Sequence, residues 1–394
     1  MSRYVERAAL PFLVFLWACS AHDPTVATPT RDDYQYQVPE AIGDGWETTT
    51  LAEVGMDEAH LAQLMDDLNA SPSHLVHSIL VVRSGKLVFE EYFAGKMFSL
   101  AKYTGGVGFN RGDAHNLASV TKSITTTLMG IALDQGLVRS VTEPVFSFFP
   151  EHADLVAEDP RRAQMTLEDL MTMSSGMEWN DDALPYSDSR NDMVRMFNSE
   201  DPIRYALAVG LSTAPGTSFR YCNGNTNILG EVVRRATGQR LDEFAAAYLF
   251  APLGIADAQW QMISQPRGVV FASGDLRLRP RDMAKIGQLF LNGGTWHGRS
   301  VVSPEWVAAA TEPHWTWAPT HDWEDGYGYG WWHWTIPVGL QAHHAFLAAG
   351  WGGQNIVVLP DDDLVVVTTG GSYYDLTPMP AVRILAEYVL PALG

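Results

Sequence analysis

The chain has 394 residues, 46% hydrophobic and 18% charged, a composition typical of globular proteins rather than of disordered or fibrous ones. Acidic residues outnumber Lys and Arg by 46 to 26, which gives a formal net charge of −20. Such a surface repels nucleic acid and anionic lipid, so neither is expected as a partner.

The first 19 residues indicate an export signal. Arg3 and Arg7 precede an apolar run over 8–18 that is too short to be a stable transmembrane anchor. The run ends in LWAC, which resembles the lipobox of bacterial lipoproteins, so Cys19 is the predicted lipidation site; an uncleaved anchor and a plain secretory signal are the alternatives. Residues 20–45 would then be a tether. We expect an exported lipoprotein on the periplasmic or outer face of a bacterial membrane, whose only membrane contact is this N-terminal anchor.

The following segments alternate between helical and strand patterns. The spacing of apolar residues predicts a helix over 57–69, and period-two alternation predicts a hairpin with strands at 77–83 and 87–93. A glycine-rich loop over 105–112 leads to a long helix that opens near Ser119. Helical patterns dominate 143–270, and several of them end in glycine.

The C-terminal part returns to strands. Two helices are predicted in RPRDMAKIGQLFLNGG and SPEWVAAAT, two or three strands in AFLAAGWGGQNIVVLPDDDLVVVTTGG, and a closing helix in PMPAVRILAEYVLPAL. Strands near both ends with helices between them predict an α+β domain made of 46–142 and 271–394, with a mostly helical domain, 143–270, inserted. A functional site is expected in the cleft between the two domains.

Ser119 and Lys122 form an S-x-x-K pair at the start of the long helix. Positions three apart on a helix face the same way, so Lys122 can reach the Ser119 hydroxyl. A serine nucleophile needs a base, and a lysine in a dry cleft can have its pKa lowered enough to serve. The motif is weak alone: Ser99 begins a second match, although the glycines after it cannot propagate a helix. The alternative is a solvated lysine near a helix start.

Two later segments carry compatible chemistry. Tyr221 could accept a proton beside a cation, and the amide of Asn223 could bind both Lys122 and a substrate carbonyl. The GWGGQ segment, residues 350–354, places glycines in a predicted strand, where a ligand or another backbone could approach closely. A loop tyrosine with a capping asparagine, and a β-bulge, are the respective alternatives.

Other catalytic schemes fit less well. The sequence has no G-x-S-x-G and no H-E-x-x-H, and its histidines show no metal-ligand spacing with acidic residues. Cys222 has no histidine nearby in sequence that would activate it. No metal and no cofactor are therefore expected.

The three motifs in this order resemble the serine hydrolases of the β-lactamase and penicillin-binding-protein superfamily. The chain is most similar to the class C branch, which includes class C β-lactamases, D-alanyl-D-alanine carboxypeptidases, esterases and 6-aminohexanoate-dimer hydrolases. The resemblance covers about residues 50–390 and includes MTLEDLMTMSSGMEW, RLRPRDMAKIGQLFLNGG and YGYGWW. It implies an antiparallel sheet flanked by helices.

The resemblance also implies an acyl-enzyme mechanism. Ser119 would attack the carbonyl, and Lys122 and Tyr221 would share the acid and base roles. Asn223 would hold Lys122 and the substrate. The N–H groups of Ser119 and Gln354 would form the oxyanion hole.

The third motif departs from the peptidase and β-lactamase pattern. Trp351 stands where those enzymes usually carry a cation or histidine that helps to bind a carboxylate, and Gly353 and Gln354 follow it. An indole offers one donor and no charge. The sequence therefore favours hydrolysis of esters or small amides, of small molecules or short peptides, over β-lactam hydrolysis.

Two alternatives and one further segment stay open. A peptidoglycan-directed D-amino-acid peptidase or weak β-lactamase is the alternative within the class, and an inactive binding protein of the same fold is the alternative outside it. Trp179 and Asp181 lie in a segment that borders the cleft in relatives and could contact substrate. The alternative is core packing for Trp179, and for Asp181 a solvated acidic loop is the simpler interpretation.

Overall fold

The fold is described from a computed structural model, which covers residues 34–71, 74–99, 102–180, 184–318, 323–373 and 380–394. The predicted export signal, Cys19, most of the tether and Asp181 lie outside these ranges. Residues 35–394 form one compact unit.

An antiparallel sheet is the central element. In chain order the described strands are β1 (Val76–Arg83), β2 (Lys86–Tyr92), β3 (Ala94–Ser99), β4 (Lys102–Gly108), β5 (His115–Asn116), β6 (Gln259–Trp260), β7 (Met262–Ser264), β8 (Val269–Val270), β9 (Leu276–Leu278), β10 (Thr295–Trp296), β11 (Arg299–Ser300), β12 (Trp315–Thr316), β13 (Glu324–Tyr327), β14 (Trp332–Val338), β15 (Gln341–Gly350), β16 (Gln354–Leu359) and β17 (Leu364–Gly370). Eight of them pair in the order β12-β13-β14-β15-β16-β17-β1-β2. The first and the last long strands of the chain are therefore neighbours in the sheet, beside the edge strand β2.

In chain order, helices stand before, between and after the strands. The described α-helices are α1 (Glu58–Ala70), α2 (Val120–Asp134), α3 (Ala153–Glu158), α4 (Leu167–Met171), α5 (Asp192–Asn198), α6 (Pro202–Ala208), α7 (Asn223–Thr237), α8 (Leu241–Ala245), α9 (Pro280–Leu291), α10 (Pro304–Thr311) and α11 (Ala381–Ile384). The predicted α+β class with an antiparallel sheet is confirmed. The division into a sheet domain and an inserted helical domain stays a prediction.

The sheet is buried on both faces. Ile356 of β16 and Val365 of β17 contact α9 closely, because a Cβ on Gly287 would lie 2.8 and 2.5 Å from their side chains. Their neighbours Val357 and Val366 are also fully buried, and the alternation of side chains along a strand turns them to the other face. The segments after α11 pack against α1.

Helix α2 is enclosed by protein, and its sequence is adapted to that position. Every residue from Val120 to Ala132 is buried, including five with hydroxyl groups. Ser123, Thr125 and Thr126 donate to backbone carbonyls of neighbouring segments over 2.6, 2.7 and 2.8 Å. These hydroxyls satisfy carbonyls that would otherwise be buried without partners, and the bonds attach α2 to the segments that carry those carbonyls.

Most predicted elements are present, and one is wrong in part. The hairpin and the helix at 57–69 are confirmed within one or two residues, and the C-terminal strand region contains β15, β16 and β17. The predicted loop at 105–112 begins inside strand β4, which pairs with β3 from Ala94 to Ser99. Pairing across a hairpin outweighs the low strand propensity of glycine there. Among the described residues, no helix combines the length and the apolar character needed to cross a bilayer.

Candidate active site

Ser119 lies at the first turn of α2, immediately after a residue in an unusual conformation. Ala118 has φ +45°, in the left-handed region, and its N–H donates to Asn116 Oδ1 at 2.8 Å. Ser119 occupies the N-cap position, but its hydroxyl does not cap the helix. The hydroxyl is therefore available for other contacts at the positive end of the helix dipole.

Lys122 is fully buried and reaches Ser119, as the spacing predicts. Its side chain is 1% exposed, and its Nζ donates to Ser119 Oγ at 2.8 Å and to the Ser273 carbonyl at 2.8 Å. The sequence alternative, a solvated lysine, does not describe this position. Burial of an amine disfavours its charged form, which is what a lysine base requires.

Tyr221 lies against the same amine, although 99 residues separate it from Lys122 in the sequence. The Lys122 Nζ is 4.9 Å from the centroid of the Tyr221 ring. Two aromatic rings also contact Tyr221: Trp332 stacks on it at 5.7 Å between ring centroids, and Tyr327 meets it edge-on at 6.4 Å. The hydroxyl, the amine and the phenol ring predicted from the motifs are thus brought together.

The end of β15 contacts the segment that leads into α2. A Cβ placed on Gly350 would lie 2.3 Å from the Leu117 carbonyl and 3.1 Å from the Ser119 nitrogen, so no larger residue fits there. Gly352 and Gly353 have φ +95° and +93° and complete the turn into β16. The close approach predicted for this glycine segment is made at Gly350.

Gln354 is the first residue of β16. It pairs with Gly350 on the adjacent strand, and its side chain is fully buried. Gln354 Nε2 donates to the Gly370 carbonyl at 2.8 Å, and the Gly370 N–H donates to Gln354 Oε1 at 3.1 Å. These bonds tie β16 to the end of β17 through the Gln354 side chain, and the role predicted for the Gln354 backbone N–H stays a prediction. Gly353 shapes the turn and does not line the cleft.

A cleft of about 510 Å³ opens beside Ser119. Asn223 lines it at the start of α7, as predicted, and Trp351 lines its rim with 38% of its surface exposed. Aromatic and aliphatic side chains from four other segments make up most of the remaining wall: Tyr186, Met193, Val194, Phe197, Phe271 and Tyr373. Trp351 contacts Tyr186 and Tyr373 at centroid distances of 5.8 and 5.3 Å. The cleft therefore offers an apolar, aromatic surface next to the hydroxyl.

Asp275 is the acidic group of the cleft wall and was not found from the sequence. It has φ +58°, and the charged group of Arg277 lies 3.9 Å away. Burial raises the pKa of the Asp275 carboxyl, while Arg277 and a hydrogen bond from Asn116 oppose that rise. Because Asn116 also binds the Ala118 N–H, Asp275 supports the segment that presents Ser119.

A pair of buried histidines lies behind the same segment. His77 Nδ1 and His115 Nε2 are 2.8 Å apart, and His115 Nδ1 is 3.0 Å from the Asn116 carbonyl. Burial, reinforced by the mutual proximity of the rings, lowers the pKa of His77 to about 3, and burial lowers the pKa of His115 to about 4. Both rings are therefore neutral at physiological pH.

Trp179 does not line the cleft, contrary to the sequence hypothesis. Its ring is 3% exposed and covers the backbone of α7, where a Cβ on Gly224 would lie 2.6 Å from it. The apolar lining came instead from α5 and from residues near 271 and 373, whose sequences look like ordinary core segments. Within the described ranges, no group of three or more His, Cys, Asp or Glu side chains is arranged to hold a metal ion.

Comparison with known sequences gives one family. The profile of the family described as Beta-lactamase matches residues 61–373. The 6-aminohexanoate-dimer hydrolase of Paenarthrobacter ureafaciens is 30% identical over 277 residues, which is 68% of this chain and 66% of that protein. The lovastatin esterase of Penicillium rubens is 31% identical over 205 residues, 46% of this chain and 47% of that enzyme. The matched segments thus span about half to two thirds of these relatives.

Comparison with solved structures gives the same fold. The class C beta lactamase from Rhodobacter sphaeroides superimposes with a TM-score of 0.62, covering 86% of this chain and all of that one at 17% sequence identity. At such identity the likeness concerns the fold and not the substrate.

Proposed function

The chain belongs to the beta-lactamase family, and we propose that it is a serine hydrolase that cleaves ester or amide bonds of small molecules or short peptides through an acyl-enzyme on Ser119. The observation that carries this proposal is the convergence of three side chains. Lys122 Nζ is within hydrogen-bond distance of Ser119 Oγ, and the ring of Tyr221 lies against the same amine.

The chemistry follows from these contacts. Ser119 Oγ attacks the substrate carbonyl carbon, and its proton passes to the pair formed by Lys122 and Tyr221. The same pair returns a proton to the departing alcohol or amine, which leaves the acyl group on Ser119. A water molecule then attacks the ester, and its proton follows the same path, which restores the serine.

The oxyanion of the tetrahedral intermediate needs backbone donors. Ser119 N–H is one, at the start of a helix. The backbone N–H of Gln354, which the family pattern gives as the second donor, is our candidate for that role. Each such donor typically contributes about 3–4 kcal/mol to transition-state stabilisation.

The wall of the cleft supports an apolar, uncharged acyl group as the preferred substrate. Among the described residues lining it there is no Lys, Arg or His that would pair with a substrate carboxylate. β-Lactams carry such a carboxylate, so we place β-lactam hydrolysis below ester or small-amide hydrolysis. A Trp351→Lys variant should be acylated faster by penicillin than the parent protein, because it adds the missing cation at the rim.

The test of the proposal is covalent labelling combined with turnover. We expect the protein to react with a fluorophosphonate probe at Ser119, located by peptide mass spectrometry, and to hydrolyse p-nitrophenyl esters. Ser119→Ala should abolish both, and Ser99→Ala, at the second S-x-x-K match, should change neither. Ester hydrolysis by Ser119→Ala at the parental rate would refute the proposal.

A substrate panel separates the proposal from its alternatives. We expect turnover of esters and linear amides to exceed that of D-amino-acid peptides, penicillins and cephalosporins. Penicillin labelling without ester turnover would favour the peptidoglycan-directed peptidase or weak β-lactamase. Absence of any labelling would favour a binding protein of the same fold. The convergence of three catalytic groups argues against that alternative, because a binding protein has no use for them.

We also propose that the protein is exported and anchored by lipid on Cys19. The support is the basic, apolar and LWAC sequence of the first 19 residues. When the protein is produced in a bacterial host, we expect to find it in the membrane fraction and to find that it incorporates labelled palmitate. Cys19→Ser should remove the label and release the protein from the membrane, and a variant that stays anchored and labelled would contradict this.

A further inference from the structure

The carbonyl that receives Lys122 belongs to a segment held by two helices. Residues 272–276 run along the cleft wall between α2 and α7. On one side the hydroxyl of Thr125 donates to the carbonyl at 272 over 2.7 Å, and the hydroxyl of Thr121 accepts from the N–H at 276 over 3.3 Å. The segment is therefore fixed to α2 on both sides of the carbonyl that Lys122 contacts.

Helix α7 holds the same segment from the other side, through Asn227. Asn227 is 1% exposed; its Oδ1 accepts from Ser273 N–H at 3.2 Å, and its Nδ2 donates to Ser273 Oγ at 3.0 Å. The approach is close because Gly230 faces Ala272, where a Cβ would lie 2.5 Å from the alanine methyl. Ser273 is thus held by its N–H and its hydroxyl, while its carbonyl binds Lys122.

The orientation of the Asn227 amide follows from its partners. The N–H of Ser273 can only donate, so Oδ1 must face it. The backbone carbonyl of Asn223, 3.0 Å from Nδ2, can only accept, so the amide nitrogen must face that side. A carboxylate in this place would set oxygen against oxygen at Asn223, which makes asparagine the fitting residue and aspartate a poor substitute.

We propose that Asn227 is a positioning residue for acylation: by fixing the Ser273 carbonyl, it holds the Lys122 amine in line with Ser119 Oγ. This inference rests on the hydrolase function proposed above. The amine donates to both Ser119 and Ser273 in the structure. Once it has lost a proton it keeps two N–H groups and one lone pair, and an N–H committed to Ser273 restricts the rotation that aims the lone pair at Ser119 Oγ. Misplacement of a reacting group by about 1 Å can slow a reaction on the order of 100-fold.

The first test compares two buried asparagines on the same helix. Asn227→Ala removes the bonds to Ser273. Asn225→Ala removes an equally buried amide whose Oδ1 accepts from Ser175, away from the cleft. Rates on a p-nitrophenyl ester are divided by the fraction of sites titrated with a fluorophosphonate, so that misfolded protein is not counted. We expect Asn227→Ala to lower kcat about 10- to 100-fold with KM changed less than about threefold, and Asn225→Ala to alter neither by more than about threefold.

The second test uses charge. Asn227→Asp keeps the size of the side chain and adds a carboxylate next to Ser273, the residue that contacts the Lys122 amine. The negative charge favours the protonated form of Lys122. The acidic limb of kcat/KM should therefore move to higher pH in Asn227→Asp and stay in place in Asn227→Ala. An acidic limb that stays in place in Asn227→Asp would contradict the coupling of position 227 to the Lys122 amine through Ser273.

The outcomes separate this inference from the function on which it rests. If Asn227→Ala and Asn225→Ala have equal kcat values, the positioning role is refuted while the hydrolase function stands. If Ser119→Ala keeps full activity, the function itself is refuted. Should Asn227→Ala fail to fold, Ser273→Ala removes only the hydroxyl half of the contact and should lower kcat at unchanged KM; parental kcat in that variant would overturn the proposal.

Discussion

Tyr221 is held by its ring as well as by its place before α7. It stacks on Trp332 and faces the Lys122 amine, so the ring would stay in place without its hydroxyl. We predict that Tyr221→Phe lowers kcat for ester hydrolysis about 10²- to 10⁴-fold, the usual contribution of a general acid or base. The melting temperature should be unchanged. Steady-state kinetics and thermal unfolding on the same samples check both parts.

Tyr327 provides the matched control. It is buried 6.4 Å from Tyr221, and burial holds the pKa of its hydroxyl well above the ordinary value, so it carries no mobile proton. Tyr327→Phe should keep kcat within about threefold of the parent. An equal loss in the two variants would show that the phenol of Tyr221 is not used in proton transfer.

At this scale the sequence located some residues of the candidate site and missed others for a physical reason. Ser119 and Lys122 are three apart on one helix, so their contact follows from helix geometry alone. The role of the Gln354 backbone N–H stays a prediction, because strand register decides which backbone groups reach the cleft and a register cannot be read from one strand. Phe271 and Asp275 were missed because tertiary contacts bring them to the cleft.

The contact between the end of β15 and the start of α2 is an element-scale feature. Gly350→Ala would place a methyl against the Leu117 carbonyl and force the two elements apart. We predict a fall in kcat of about 100-fold and a loss of about 1–3 kcal/mol in the free energy of unfolding. Gly210→Ala, where a Cβ meets open space, should change neither. Kinetics and urea unfolding of both variants test this, and parental activity in Gly350→Ala would contradict it.

The buried histidine pair, His77 on β1 and His115 on β5, couples stability to pH. Folding lowers the pKa of His77 to about 3 and of His115 to about 4, so the unfolded chain binds more protons than the folded one below about pH 6.5. The contribution of the two histidines to the free energy of unfolding is complete above that pH, and it is lost as the pH falls toward 4. At pH 5 we expect a loss of about 2 kcal/mol for each histidine in the free energy of unfolding, measured with urea.

Carboxylates titrate over the same pH range, so a variant is needed to separate their effect on stability from that of the histidines. His115→Gln should be less stable than the parent at pH 7.5 but should lose less stability between pH 7.5 and pH 5. His314→Gln, at an exposed position, should retain the parental pH dependence. An unchanged pH dependence in His115→Gln would refute the assignment.

The elements that the sequence predicted well are those with a strong local period. The hairpin of β1 and β2 and the helices α1 and α9 follow directly from apolar spacing. Strand β4 was missed because its glycines carry no period of their own, and its pairing with β3 depends on the partner strand. The order of the sheet, with β17 beside β1, has no local signal.

The whole molecule carries a formal net charge of −20, and its field should act on charged substrates. We predict that kcat/KM for a succinyl hemiester rises about twofold or more between 20 and 500 mM NaCl, because salt screens the repulsion between the anion and the protein. The neutral butyrate ester of the same alcohol should show no such rise. A decrease for the hemiester would instead indicate an attractive basic patch near the cleft.

The pairing of β17 with β1 bears on how the chain acquires its structure. β1 pairs with β17 on one side and with β2 on the other, so two adjacent strands of the sheet come from segments almost 300 positions apart. Such high contact order slows folding, and no complete sheet can form until synthesis has passed residue 370. The N-terminal hairpin therefore waits for its partner strand until almost the whole polypeptide has been made.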